Sequence, residues 1–232
     1  GSAPETASVS VPNPSAAFLA AFQTALADQG ITVQTTRLGS PDARQDWPEL
    51  AAVQSPTLGE LAIPANQKSN NLYAEALLKQ LGRQSETGAD ATVAGVQIAL
   101  RILSELGIEP AAIVMVDGSG LARKNLITPI ALVDVLQSMA RSPFAHAYRQ
   151  SLAVAGVSGT LRNRFQETSV ANRFAGKSGA ISRNFALAGY LEPEAYPPLA
   201  VAIFINNIDQ RGSVARSIID DIILQIAALE RC

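Results

Sequence analysis

Apolar positions along the chain recur at two spacings, and the spacing changes after residue 156. Before that point they fall three and four residues apart, the repeat of an amphipathic helix. Phe18, Leu19, Phe22 and Leu26 form one such set, opened by Pro14-Ser15 and closed by Gly30. Leu72, Tyr73, Ala76, Leu77, Leu78 and Leu81 form another, stopped by Gly82. Further helices are predicted over residues 56–63, 91–106, 129–140 and 144–152. Short β-branched or apolar runs predict strands at 31–36, 50–54 and 113–116. Beyond the glycine-bearing loop 156–159, three runs at hairpin spacing (174–181, 185–191 and 199–206) read as strands, and 214–229 as a closing helix. The pattern predicts an α/β (α+β) fold, a helical cluster followed by an antiparallel sheet with a C-terminal helix over it. Residues 1–14, rich in Ser, Pro and Ala, read as a flexible leader that begins with a tag-like Gly1-Ser2, and 39–48 as a loop carrying Trp47.

Composition narrows the possible functions. Of 232 residues, 47% are hydrophobic and 16% charged, as in a folded protein able to bury a substantial core. Net charge is −2 and no Lys/Arg cluster occurs, which argues against nucleic acid as a partner, since phosphate binding needs a basic stripe. The longest apolar run, 198–205, is too short to cross a bilayer, and 218–229 is interrupted by Asp220, Asp221 and Gln225. No transmembrane segment is predicted. Cys232, the one cysteine, has neither a disulfide partner nor metal ligands near it in sequence. His146, the one histidine, falls in a predicted helix and reads as a satisfied structural residue, with no Gly-x-Ser-x-Gly elbow to make it a catalytic base.

Three polar motifs interrupt the apolar pattern. Ser69 and Asn71 are two residues apart, so both side chains can face one cleft, a hydroxyl to relay a proton and a carboxamide to hold a substrate amide. The alternative is a helix cap, with Ser69 or Asn70 satisfying free N–H groups ahead of Leu72, and local sequence favours the cap. Lys177-Ser178-Gly179 lies in a predicted strand. A lysine and a hydroxyl there can bind a carboxylate, and the glycine lets a substrate backbone lie close; a solvated lysine beside a turn explains the same tripeptide. Asp117-Gly118-Ser119-Gly120 lacks the pattern of a phosphate-binding loop and reads as a structural turn with positive φ at one glycine.

Longer blocks surround these motifs in order. They are Lys68-Ser69-Asn70-Asn71-Leu72-Tyr73-Ala74-Glu75, Asp117-Gly118-Ser119-Gly120-Leu121-Ala122-Arg123, Gly159-Thr160-Leu161-Arg162-Asn163-Arg164 and Lys177-Ser178-Gly179. From about Ser15 to the C-terminus the chain resembles the D-alanyl-D-alanine carboxypeptidases of the penicillin-binding protein 4 type, peptidase family S13. The resemblance implies part of a penicillin-binding-protein/β-lactamase-like transpeptidase fold and a serine acyl-transfer site without metal or organic cofactor. Ser69 would join a proton relay, Asn71 would hold the substrate amide, and Lys177 with Ser178 would bind the terminal carboxylate. Gly179 would admit the substrate backbone, and the N–H of Ala180 would give one oxyanion-hole donor. The implied partners are peptidoglycan stem peptides ending in D-Ala-D-Ala, with β-lactams as acylating inhibitors, and the implied place is the periplasm or cell envelope.

Two departures leave the motifs recognisable: Asn70 stands where aspartate is usual in the family, and Ser178 stands where it has threonine, a mild change that keeps the hydroxyl. A third does not. The family nucleophile comes from a Ser-x-x-Lys element, but the residues three before Lys68, Lys79, Lys124 and Lys177 are Ala65, Ala76, Leu121 and Phe174. The resemblance therefore implies a C-terminal portion, inactive alone, in which 15–54 ends an inserted region and 55–232 belongs to the peptidase domain. The sheet would be left with an unpaired edge open to self-association. The alternative is a non-catalytic module that binds or scaffolds peptidoglycan peptides.

Overall fold

The computed structural model describes residues 10–39, 48–85 and 90–230, so the loop expected around Trp47, most of the leader and Cys232 lie outside the described residues. The chain divides into two compact units, Gly1–Gln54 and Ser55–Cys232.

In the first unit, helix α1 (Pro14–Asp28) starts where proline pre-sets φ and Asn13 accepts from the Ala16 N–H at 3.0 Å. Phe18 and Phe22 stack on each other, and no residue of α1 is buried. The strands expected at 31–36 and 50–54 do not form. β-branched residues favour an extended backbone, but a strand needs a neighbour to take its N–H and C=O groups, and among the described residues none pairs with them.

The second unit opens with α2 (Leu58–Gln67), where Thr57 and Glu60 form a reciprocal capping box. The helix was expected to stop before Pro64 but runs through it. Proline forfeits one helical bond, and the turn beyond it is fastened from outside: Asn66 donates to Ser151 Oγ at 2.7 Å and Gln67 to the Gln150 carbonyl at 3.0 Å. α3 (Asn71–Gly82) packs against α4 (Ala91–Glu105). A two-residue pair follows, β1 (Ile113–Val114) with β2 (Leu126–Ile127), the latter too short to show in the sequence pattern. α5 (Pro129–Arg141), with Pro129 at its first position and Thr128 as cap, precedes α6 (Ala145–Ser151). His146 is exposed on α6.

The main sheet has the order β3-β4-β5-β6, antiparallel throughout. β4 (Phe174–Ile181) and β6 (Leu199–Ile205) follow the predicted runs, β5 (Asn184–Leu191) starts one residue early, and β3 (Ala153–Val154) was not anticipated. Alternation fills both faces. Phe174, Leu187 and Leu191 pack with Ile219 and Ile223 of α7 (Gly212–Ala227), each such side chain contributing about 2 kcal/mol of hydrophobic stabilisation. Ala175, Ala188 and Tyr190 pack on the other face with Leu136 of α5, whose carbonyl accepts from the Tyr190 hydroxyl at 2.7 Å. Ser182 and Arg183, at φ 22° and 69°, make the two-residue turn from β4 to β5, where positive φ matches the strand twist. Among the described residues β6 has no strand on its outer side. The architecture is the expected helical cluster with an antiparallel sheet and a covering C-terminal helix.

Candidate active site

The turn between α2 and α3 separates two roles that the sequence left to either residue. Asn70 is the cap: its Oδ1 accepts from the N–H groups of Leu72 and Tyr73 at 3.1 and 3.3 Å. Ser69 stands outside the helix at φ 52°, in the left-handed region that a serine occupies only when held there. The Asn70 N–H to the Pro64 carbonyl, 3.1 Å, closes the turn and holds it. The Ser69 hydroxyl is thereby released from capping, and Lys177 Nζ donates to it at 2.8 Å across a separation of 108 residues. A second Nζ proton goes to the Ser178 carbonyl at 2.6 Å. Burial lowers the Lys177 pKa, because an ammonium loses hydration in the protein interior. A lysine that sheds its proton more readily, bonded to a serine hydroxyl, is a proton-transfer pair. Asn71, the first residue of α3, lines the same space, and its carboxamide makes no hydrogen bond among the described residues.

β4 forms the opposite wall. β3 pairs with it only at Ala175 and Gly176, so among the described residues no strand pairs with the outer edge from Lys177 onward. In an antiparallel strand, successive residues direct their N–H and C=O to opposite edges. The Phe174 carbonyl accepts from Ala155 N–H at 2.9 Å across the outer edge. Gly176, Ser178 and Ala180 share its parity, so the Ala180 N–H points from that open edge. Ser178 Oγ donates to Thr160 Oγ1 at 2.7 Å. Thr160 is brought there by Gly159, at φ 56°, where a Cβ would meet the Gln67 carbonyl oxygen at 2.4 Å. Only glycine allows the approach.

The third wall is the Asp117–Gly120 loop. Glu75 of α3 accepts from the N–H groups of Gly118 and Ser119 at 2.9 and 3.2 Å. Asp117 accepts from Gly120 and Ala122 N–H and from Asn125 Nδ2. Burial pushes the Asp117 carboxyl up, but those hydrogen bonds outweigh it and hold it below the ordinary aspartate value. Gly120 is at φ 75°, the one positive-φ glycine of this turn.

These walls enclose a cavity of about 480 Å³. Ser69, Asn71, Lys177, Ser178, Gly179 and Ala180, all singled out in the sequence, line it together. Sequence reasoning gave no role to Asn66, Glu75 or Thr160, nor to Ser119–Leu121 as a wall. Glu75 carried one usable signal, a carboxylate inside the apolar stretch Leu72–Leu78 of α3. Among the described residues no group of three or more His, Cys, Asp and Glu is placed to hold a metal, and no helix is long and apolar enough to cross a membrane.

A model of the D-Ala-D-Ala carboxypeptidase 3 (S13) family matches residues 1–229. A D-alanyl-D-alanine carboxypeptidase from an Actinomadura species is 35% identical, over 97% of this chain and 42% of its own length. A penicillin-sensitive carboxypeptidase A from Dictyostelium discoideum is 30% identical, over 93% of this chain and 43% of its own. The crystal structure of penicillin binding protein 4 from Haemophilus influenzae superposes with a TM-score of 0.80 at 24% identity, over 93% of this chain and 49% of that one. At that identity the likeness is one of fold. The chain spans less than half the length of these relatives.

Proposed function

The chain belongs to the D-Ala-D-Ala carboxypeptidase 3 (S13) family, and from that premise we propose that its cavity is the substrate-binding part of a serine-type acyl-transfer site. The observation that carries the proposal is the 2.8 Å bond between Lys177 Nζ and Ser69 Oγ, which joins two distant motifs in one cavity.

A peptidoglycan stem peptide ending in D-Ala-D-Ala would lie extended along the open edge of β4, adding itself as a strand. The Ala180 N–H would donate to the scissile carbonyl oxygen as charge develops there. Asn71 would hold the peptide amide, Ser178 and Lys177 would face the terminal carboxylate, and Gly179 would let the backbone approach. These 232 residues supply no Ser-x-x-Lys serine, so the reaction needs a serine beyond them. Its oxygen forms an ester with the carbonyl carbon of the penultimate alanine while the C–N bond breaks, and the proton that serine loses passes to Lys177 and from it through the Ser69 hydroxyl to the leaving amine. Water then hydrolyses the ester. β-Lactams would acylate the same serine, in keeping with the penicillin sensitivity that the Dictyostelium relative's name records.

Residues 55–232 would be the C-terminal part of the peptidase domain, 15–54 the end of an inserted region, and the working place the periplasm or cell envelope. The open edge of β6 would accept a further strand, from elsewhere in the same protein or from a second copy. In the protein that joins this chain to its attacking serine, Lys177→Ala should slow acylation by a fluorescent penicillin by about 100-fold or more. Acylation at the unsubstituted rate would remove Lys177 from the reaction.

A further inference from the structure

The Asp117–Gly120 wall lies outside any helix or strand, so its place in the cavity depends on what ties it down. Asp117 accepts from the Gly120 and Ala122 N–H groups and from Asn125 Nδ2, each within 2.9 Å. Ser119 Oγ accepts from the Leu121 N–H at 3.3 Å. These bonds give the loop its form, but they join it only to neighbours in sequence and leave its distance from α3 unset.

Two contacts cross to α3. Gly118 lies flat on the helix: a Cβ there would stand 2.7 Å from the Ala74 carbonyl oxygen and 2.8 Å from Leu78 Cβ. Beside it, a single oxygen of the half-buried Glu75 accepts from two consecutive N–H groups, Gly118 at 2.9 Å and Ser119 at 3.2 Å. Converging backbone donors of this kind suit an anion, and a charged acceptor strengthens both bonds. Among the described residues no other side chain of α3 bonds to the loop.

Glu75 stands four residues after Asn71, so the two side chains leave the same face of α3, one turn apart. Asn71 lines the cavity directly, and Glu75 holds the segment that brings Ser119, Gly120 and Leu121 to the same cavity. One carboxylate therefore sets the gap between Asn71 and that segment. Without it, two N–H groups would lie against a helix with no acceptor and would turn to water, drawing the loop off α3.

We propose that Glu75 is a positioning residue that sets the width of the cavity beside Asn71, and so limits the bulk of the group attached to the amide that Asn71 holds. The proposal rests on the acyl-transfer reading above and adds a size limit that the reading does not contain. Glu75 touches neither substrate nor reacting atoms. It acts through the two peptide N–H groups it holds.

The test times acylation of the protein that joins this chain to its attacking serine. Two penicillins serve as probes, alike in ring and carboxylate and different in bulk beside the side-chain amide. Benzylpenicillin has a methylene there, and methicillin a dimethoxyphenyl ring directly on the carbonyl. The unsubstituted protein should favour benzylpenicillin by about tenfold or more, and Glu75→Ala should shrink that ratio to about twofold. Glu75→Gln, which keeps an acceptor oxygen without the charge, should restore most of it. Gly118→Ala, which wedges a methyl group between loop and helix, should shrink it by a separate route. A general loss of stability lowers both rates together and leaves the ratio untouched. A ratio near one in the unsubstituted protein, or one that neither Glu75→Ala nor Gly118→Ala changes, would overturn the size limit and leave the acyl-transfer site standing. If neither penicillin acylated the unsubstituted protein, both readings would fall.

Discussion

The two facing walls of the cavity are built by opposite means. The Ser69 wall is a turn three residues long, in which capping by Asn70 and a positive φ place one hydroxyl. The β4 wall is a strand edge, fixed by a register of eight residues against β5 and by side chains packed on both faces. A local turn can lose its cap and leave the rest of the fold intact. A strand edge moves only if the sheet moves. Damage to the turn should therefore appear in the site first, and damage to the strand in stability first.

The largest effect should come from the backbone contact that seats β4. Gly189 of β5 faces Gly176 of β4, and a Cβ on Gly189 would lie 2.2 Å from the Ala175 carbonyl oxygen and 2.5 Å from Gly176 Cα. Neither neighbour is a side chain that can swing away. Gly189→Ala should cost about 3 kcal/mol in urea unfolding, and an unchanged midpoint would mean that this pairing does not hold the wall.

The turn should respond less. Asn70→Ala removes the acceptor for two N–H groups and should cost about 1 kcal/mol, whereas Asn70→Asp keeps the acceptor and adds a charge favourable at a helix start. Equal losses for the two variants would show that the cap is not what holds the turn.

The smallest effect is a slope with pH. Burial lowers the Lys177 pKa, so between that lowered value and the ordinary 10.5 the unfolded chain binds more protons than the folded one. The contribution of Lys177 to stability therefore rises with pH across this window. Tyr190 acts oppositely at the alkaline end, because burial pushes its hydroxyl up to about 12 and stability is lost as pH climbs from 10 towards that value. Thermal midpoints of the unsubstituted chain and of Lys177→Met, compared below pH 10, should diverge with a slope that the variant lacks.

The same contrast governs what could be read from the sequence. β4 and β6 were legible because alternation reports burial on two faces, and α3 and α4 because a glycine follows each apolar helical repeat. The runs at 31–36 and 50–54 carry the same local signal without a partner strand, and propensity alone did not make strands of them. α2 ran past Pro64 because Ser151 and Gln150, more than 80 residues away, fasten its last turn. At the site, local sequence favoured a cap, and the structure gives the cap to Asn70 and the bond with Lys177 to Ser69. The pairing of the Ser69 and Lys177 motifs was expected only through resemblance. Glu75 and Thr160 owe their roles at the site to tertiary contacts, with the Gly118–Ser119 backbone and with Ser178, that local sequence does not specify.

The most direct measurement is made on the organism that produces this chain. Its envelope proteins would be labelled with a tagged penicillin, and the labelled species isolated and mapped by peptide and intact mass. The account predicts peptides of this chain in a labelled protein larger than 24.3 kDa, acylated on a serine that lies three residues before a lysine. A native product of this size that never takes the label would contradict it and leave a binding module in place of the acyl-transfer site.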